Sequence, residues 1–140
     1  MRVRDVMREV LAVCTEDLPL MRVFEMMERA GTDFVVVVDG EAHRKPLGLI
    51  TEHQICVQVV AKRRDPRELS AANVMDARLT RLAAADVLES CGQLPERSVV
   101  VDDRGSLCGW ISRSDVEDQF QPTPTPFVNG SSTELSGLPS

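Results

Sequence analysis

Apolar residues recur with two different periods along the first half of the chain. Three- and four-residue spacing over Leu20–Ala30 predicts an amphipathic helix, and the continuous run Phe34–Asp39 (FVVVVD) predicts a buried strand. A turn over Gly40–Pro46 leads to a second strand, GLIT at Gly48–Thr51, and a further helix is predicted over Glu52–Arg63. This half therefore contains helix, strand, strand and helix in that order.

The same order returns in the second half of the chain. A helix is predicted over Ala84–Cys91 and a buried strand over Ser98–Asp102 (SVVVD). A turn over Asp103–Ser106 precedes a strand that reads GWIS at Gly109–Ser112, and a last helix is predicted over Arg113–Gln119. Such an internal repeat constrains the fold more than any single motif does.

Each copy opens with a similar motif, VRDVM at Val3–Met7 and AANVM at Ala71–Met75, followed by an apolar segment that is predicted to be its first strand. Each copy is thus a β-α-β-β-α unit of roughly 50 to 60 residues, which is small for an independent core. We therefore expect an α/β (α+β) fold in which two repeats, residues 1–63 and 71–120, pack as a pseudo-two-fold pair joined by a linker at 64–70. The second copy is expected to be about four residues shorter between its opening and its first helix.

Composition narrows the function classes. An apolar content of 43% supports a packed core, whereas a net charge of -6 argues against a nucleic-acid partner. No apolar stretch approaches the roughly 20 residues that span a bilayer, and four widely spaced cysteines without a signal peptide predict a reduced, cytoplasmic protein.

Residues 121–140 are rich in Pro, Thr, Ser and Gly and are expected to form a mobile tail. The alternative is that Phe127 and Val128 dock on the body or on a partner.

The sequence lacks the residue patterns of several common catalytic sites. His43 and His53 are its only histidines, and it has no HExxH, CxxC or G-x-S-x-G motif. The residue patterns that zinc sites, thiol-redox sites and hydrolase sites usually contain are therefore absent. We expect a protein that is not an enzyme and holds no metal.

The two repeats resemble those of the CBS-domain family. The resemblance covers residues 1 to about 120 and rests on three features that each occur twice: the D-V-M or N-V-M opening, the Val-rich strand that ends at Asp39 or Asp102, and the G-h-h-[ST] strand that runs into a helix. It implies a regulatory module, often called a Bateman module, that binds adenosine-containing ligands in the cleft between its repeats. AMP, ADP or ATP is therefore the expected ligand, and no cofactor is expected to be required.

In that family the ligand binds at a junction written G-h-h-[ST]-x-x-D, which the second repeat matches with Gly109, Ser112 and Asp115. Unpaired N–H groups at a helix start favour a phosphate, and a carboxylate can accept hydrogen bonds from ribose hydroxyls. The resemblance implies that Ser114 adds a hydroxyl and that Arg97 contacts phosphate. The alternative is structural, with Ser112 capping the helix and Asp115 in its first turn.

The resemblance also implies that the first repeat completes this site. The residues expected there, from the edges of its first two strands, are Cys14, Thr15, Thr32 and Asp33. The carboxylate of Asp33 would repel a phosphate unless it points toward ribose or solvent.

The equivalent junction of the first repeat departs from the family pattern. It keeps Gly48 and Thr51, but Gln54 stands at the ribose-binding position, His53 at the second hydroxyl position and Phe34 at the place of the phosphate-contacting arginine. Glutamine keeps hydrogen-bonding groups but loses the charge that strengthens a bond to a hydroxyl. We expect this second site to be weak or empty, so that one ligand binds per chain.

A second function also fits the sequence, namely a ligand-independent module that dimerises or docks on a regulated target protein, with vestigial clefts. We expect a homodimer formed by helices of both repeats. Its candidate contact residues at helical spacing are Met26, Met27, Ile55 and Val59. The alternative places these four side chains in the core of the monomer.

Overall fold

The computed structural model describes residues 1–120, which form two three-stranded sheets and their helices. The elements of the first half are β1 (Val13–Thr15), α1 (Leu20–Ala30), β2 (Phe34–Val38), β3 (Pro46–Thr51) and α2 (Glu52–Ile55), which continues as a π-helical stretch over Cys56–Val60. Those of the second half are α3 (Ala71–Val74), β4 (Arg81–Ala83), β5 (Arg97–Val101), β6 (Leu107–Ser112) and α4 (Arg113–Phe120). Short 3-10 turns lie at Val3–Asp5, Pro66–Glu68 and Leu88–Ser90. The expected tail over 121–140, with Phe127 and Val128, lies outside the described residues.

Both sheets have the same topology. β1 pairs parallel with β2, and β2 pairs antiparallel with β3; β4, β5 and β6 repeat this arrangement. A bulge recurs at the same place, between Val37 and Val38 in one sheet and between Val100 and Val101 in the other. The predicted α/β fold built from two similar repeats is confirmed.

The first helix has the bounds that its periodicity predicts. Spacing of three and four residues puts Leu20, Val23 and Met27 on one buried face of α1. The helix ends at Gly31, which adopts a left-handed φ of 67° and donates its N–H to the carbonyl of Glu28. The spacing of apolar residues within the helix was therefore sufficient to predict its bounds.

The first helix of the second repeat was predicted wrongly. In place of a helix over Ala84–Cys91 there is only the 3-10 turn Leu88–Ser90, after which Gly92 takes a left-handed φ of 70°. The predicted position of the shortening is also wrong, because β1 and β4 begin at the same distance from their openings and the missing residues belong to the helix itself. The stretch between β4 and β5 is too short for a helix like α1, and an open groove of about 700 Å³ lies beside α4. The helix after β3 was predicted too long, since it ends at Val60.

The two openings are exchanged between the repeats. The N–H of Val3 donates to the carbonyl of Asp86 at 2.9 Å, which fixes the first opening on the second repeat. The N–H of Ala71 donates to the carbonyl of Leu18 at 2.9 Å, which fixes the second opening on the first repeat. Side chains follow the same rule: Val3 lies in the core of the second repeat, and Ala71 and Val74 lie in the core of the first. Each core is therefore completed by the other half of the chain.

A third apolar cluster joins the two sheets. β2 is buried on both faces because alternate residues serve two cores: Val35 and Val37 face α1, whereas Phe34, Val36 and Val38 pack against the second sheet. The partners from the second sheet and its surroundings are Val99, Leu107, Leu79 and Trp110. This double burial explains why the sequence of β2 is continuously apolar.

The glycine of each G-h-h-[ST] strand allows the exchanged opening to approach. A Cβ added at Gly109 would lie 2.8 Å from the sulfur of Met7 and 2.9 Å from the carbonyl oxygen of Arg8. A Cβ added at Gly48 would lie 2.8 Å from the sulfur of Met75 and 3.0 Å from the carbonyl oxygen of Asp76. The two motifs that recur in the sequence, the opening and the glycine strand, are thus in contact with each other.

We expect Gly109→Ala to lower the free energy of unfolding by about 1 to 3 kcal/mol, because the added methyl group overlaps backbone in a packed interface. Gly40→Ala is the matched control, since nothing lies within 4 Å of the Cβ that it would add. Denaturant unfolding of the two variants measures the difference. Equal stability of both variants would contradict the close approach at Gly109.

Candidate functional site

The junction of β6 and α4 holds the hydroxyl groups predicted from the sequence. Ser112 ends β6 and pairs with Arg97, the first residue of β5. Its hydroxyl accepts a hydrogen bond from the N–H of Ser114 at 3.2 Å and shares a 2.8 Å hydrogen bond with the Ser114 hydroxyl. Ser112 therefore satisfies one N–H at the start of α4, which is the structural role that the sequence left open.

Asp115 lies in the first turn of α4 and forms an ion pair with Arg8. Nε of Arg8 donates to one carboxylate oxygen at 2.5 Å, and Nη2 donates to the other at 2.9 Å. This guanidinium holds the pKa of Asp115 below its ordinary value. Both oxygens of the carboxylate expected to bind ribose are thus engaged within the protein.

Sequence reasoning missed Arg8. Its backbone is fixed opposite β6 by two hydrogen bonds with Trp110, at 2.7 Å from the Arg8 N–H and 3.0 Å to its carbonyl. The available signal was its position directly after Met7 in the repeated opening. That signal points to the second repeat only once the exchange of openings is known.

Arg97 is held by contacts with the first repeat. Its Nη2 donates to the carboxylate of Asp33 at 2.8 Å, and its guanidinium carbon lies 5.0 Å from the ring centroid of Phe34. The Phe34 ring in turn meets Trp110 edge to face, with 4.8 Å between centroids. Nε of Arg97 is buried and makes no hydrogen bond within residues 1–120. The carboxylate of Asp33, which was expected to repel a phosphate, forms an ion pair with Arg97.

Thr32 and Asp33 lie beside the junction, whereas Cys14 and Thr15 do not. Thr32 donates to the carbonyl of Phe34 at 3.4 Å and lines a cavity of about 830 Å³ with Asp33 and Trp110. Thr15 pairs with Val38 at the far end of β2, roughly 13 Å along the strand from Phe34.

Cys14 and Thr15 border a different cavity in the first repeat. The Thr15 hydroxyl donates to the carboxylate of Asp17 at 2.6 Å. The cavity, of about 490 Å³, is also lined by Glu41 and Arg44. Of the four residues expected to complete the site from the first repeat, the structure places two at the junction and two elsewhere.

The equivalent junction of the first repeat differs in charge. The Thr51 hydroxyl accepts from the N–H of Gln54 at 3.1 Å, so it caps α2. The residue after the second opening is Asp76, which exchanges backbone hydrogen bonds with Leu49 at 2.8 and 3.0 Å and pairs its carboxylate with Arg78. An acid therefore stands here where the second repeat has the base Arg8.

Neither a metal-binding cluster nor a membrane-spanning helix is found within residues 1–120. No group of three His, Cys, Asp or Glu residues within it is arranged to hold a metal ion. Its helices are each too short or too polar to cross a membrane.

Residues 3–60 match the family model described as CBS domain. The first repeat therefore contains a CBS domain. A CBS domain-containing protein of unknown function from Bacillus anthracis has a similar structure, with a TM-score of 0.72 and 18% identity over 85% of this chain and 91% of that chain. The CBS-pair protein CBSX2 from Arabidopsis thaliana has a TM-score of 0.65 and 16% identity over 84% of this chain and 92% of that chain. A search of curated protein sequences found no match.

The CBS fold extends over both halves of the described chain. The hexameric CBS-CP12 protein from bloom-forming cyanobacteria is also similar, with a TM-score of 0.68 and 18% identity over 84% of this chain and 69% of that chain. CBS-domain proteins are typically regulatory rather than catalytic, and many bind small ligands and form oligomers. The CBS pair described above therefore belongs to a class of regulatory modules.

We expect the Cys14 thiol to react far more slowly with iodoacetamide than Cys56 at pH 8. Burial, with a smaller effect of Asp17, raises the pKa of Cys14 to about 11, so about one thousandth of it is thiolate at that pH. Cys56 is exposed. Peptide mapping by mass spectrometry follows both rates, and comparable labelling of the two thiols would contradict the buried position of Cys14.

Proposed function

We propose that this CBS pair is a regulatory module that binds one adenine nucleotide, AMP, ADP or ATP, per chain at the junction of β6 and α4. The observation that carries the proposal is the meeting of a cation, two hydroxyls and a carboxylate at one junction between the repeats. These groups belong to Arg97, Ser112, Ser114 and Asp115.

Each group suits one part of a nucleotide. The guanidinium of Arg97 and the hydroxyls at the start of α4 are donors for a phosphate. The carboxylate of Asp115 is an acceptor for ribose hydroxyls. The neighbouring cavity bordered by Thr32, Phe34 and Trp110 is apolar enough to accept a base, and aromatic rings favour such contacts.

The asymmetry of the two junctions supports a single site. Gln54 and Asp76 replace the carboxylate and the base that meet in the second repeat as Asp115 and Arg8. An anionic ligand at the first junction would face Asp76 and find no cation from the place of Arg97, which Phe34 occupies. The nucleotide is therefore assigned to the second repeat.

A second candidate function rests on exposed apolar side chains of the helices. Met27 and Val59 are buried in the first core, and Met26 and Ile55 pack against it, so the expected contact residues serve the monomer. Met21 of α1 and Val57 and Val60 of the π-helical stretch are exposed instead. We propose that these exposed apolar side chains mediate homodimerisation or docking on a regulated target protein.

We expect light scattering at high micromolar concentration to give the mass of a dimer. Met21→Ser together with Val60→Ser should shift the protein toward the monomer, because both side chains are exposed apolar groups outside the core clusters. A monomer mass for the unsubstituted protein would contradict the homodimer.

We expect calorimetric titration to show micromolar to millimolar binding of adenine nucleotides and a higher melting temperature in their presence. Asp115→Ala should weaken binding roughly tenfold or more, because it removes the ribose acceptor. Gln54→Ala is the matched control in the other repeat and should have little effect. Arg97→Ala should weaken ATP and ADP more than adenosine, since its partner is phosphate.

The single-site assignment fails if Gln54→Ala is as damaging as Asp115→Ala. The nucleotide proposal fails if the unsubstituted protein shows neither heat nor a thermal shift at millimolar nucleotide. The interaction module is then the function that the structure supports.

A further inference from the structure

Two ion pairs cross between the repeats at the proposed nucleotide site, and both join a sheltered side chain to an exposed one. In the first pair the Asp115 side chain is 20% exposed and that of Arg8 is 60% exposed. In the second pair the Arg97 side chain is 20% exposed and that of Asp33 is 53% exposed. Each pair thus has one sheltered member and one exposed member.

The sheltered members both come from the second repeat, and the exposed members both come from the first. The sheltered carboxylate and guanidinium are the groups that the nucleotide proposal assigns to ribose and phosphate. The exposed partners carry the charges that complement them. The first repeat therefore supplies a cation and an anion at the two positions where a ligand would make its polar contacts.

We propose that Arg8 and Asp33 are built-in competitors, which occupy Asp115 and Arg97 in the absence of ligand and are displaced when a nucleotide binds. The inference rests on the proposed nucleotide site and assigns how its affinity is set. The ribose hydroxyls replace Arg8 on Asp115, and a phosphate replaces Asp33 on Arg97. Binding then exchanges one set of charge-assisted hydrogen bonds for another rather than adding new ones, which keeps the affinity moderate.

The geometry allows this exchange without unfolding. The backbone of Arg8 is held by its hydrogen bonds with Trp110, but its long side chain is exposed and can turn into solvent. Asp33 precedes β2, and its carbonyl oxygen accepts a hydrogen bond from the N–H of Glu52, so only its carboxylate is free to leave. Turning the exposed partners outward costs little, because water solvates the guanidinium of Arg8 and the carboxylate of Asp33, while the ligand takes their place on the sheltered partners.

Displacement of Arg8 by a ligand also changes a contact between the two repeats. Arg8 follows the opening of the first repeat, and its ion pair ties that opening to α4. A ligand that takes Asp115 removes this tie while the backbone contacts of the opening remain. The ligand-bound and ligand-free states thus differ in how firmly the first opening is held against α4.

The test measures adenosine and ATP binding to single variants of the full chain by calorimetry. Asp33→Asn should tighten ATP binding about threefold or more, because it removes both the competitor and a repulsive charge, and should leave adenosine unchanged. Arg8→Ala should tighten adenosine binding about twofold or more by freeing the ribose acceptor. Asp103→Asn and Arg4→Ala are the controls, since they make the same charge changes at exposed positions outside the junction.

The outcomes separate this inference from the nucleotide proposal. If the unsubstituted protein binds ATP but Asp33→Asn and Arg8→Ala bind no more tightly than their controls, the competitor role is wrong and the nucleotide site stands. If only the two variants bind, the competitors are confirmed and the unsubstituted protein is not a nucleotide sensor at the concentrations used. Looser binding of both ligands by both variants would mean that the pairs merely brace the site, and absence of binding by every variant would overturn both proposals.

Discussion

The exchange of the two openings is the constraint on which the rest of the structure depends. Val3 completes the second core and Val74 completes the first, so neither half of the chain can bury its apolar surface alone. The crossing is possible because Gly48 and Gly109 leave room for the methionine and carbonyl of the opposite opening. Two small units therefore fold as one, and the junctions between them have a defined geometry.

The same exchange decides which residues meet at each junction. The position after the opening methionine is delivered to the other repeat, so Arg8 arrives beside Asp115 whereas Asp76 arrives beside β3. One chain thus builds two junctions of similar backbone and different charge. The likeness of the backbone is a property of the fold, and the difference in ligand preference is a property of a few side chains.

Sequence reasoning succeeded where the signal was local and failed where it depended on distant parts of the chain. The helix over Leu20–Ala30 and the run at Phe34 follow from residues that lie close together in sequence. The ion pair of Arg8 with Asp115 joins residues 107 positions apart, and no local pattern marks it. Thr15 lies beside Val38, away from the junction of β6 and α4, and spacing along the chain does not show which end of β2 it faces. The nucleotide itself, the cytoplasmic location and the absence of catalysis stay predictions.

A crystal structure of the full chain grown with saturating AMP tests the central claim most directly. The account predicts AMP at the junction of β6 and α4, with its ribose hydroxyls on Asp115 and its phosphate on Arg97. It also predicts that Arg8 and Asp33 have moved beyond hydrogen-bonding distance of those two residues. AMP bound at the junction of Thr51 and Gln54, or at the second repeat with both ion pairs intact, would contradict the account.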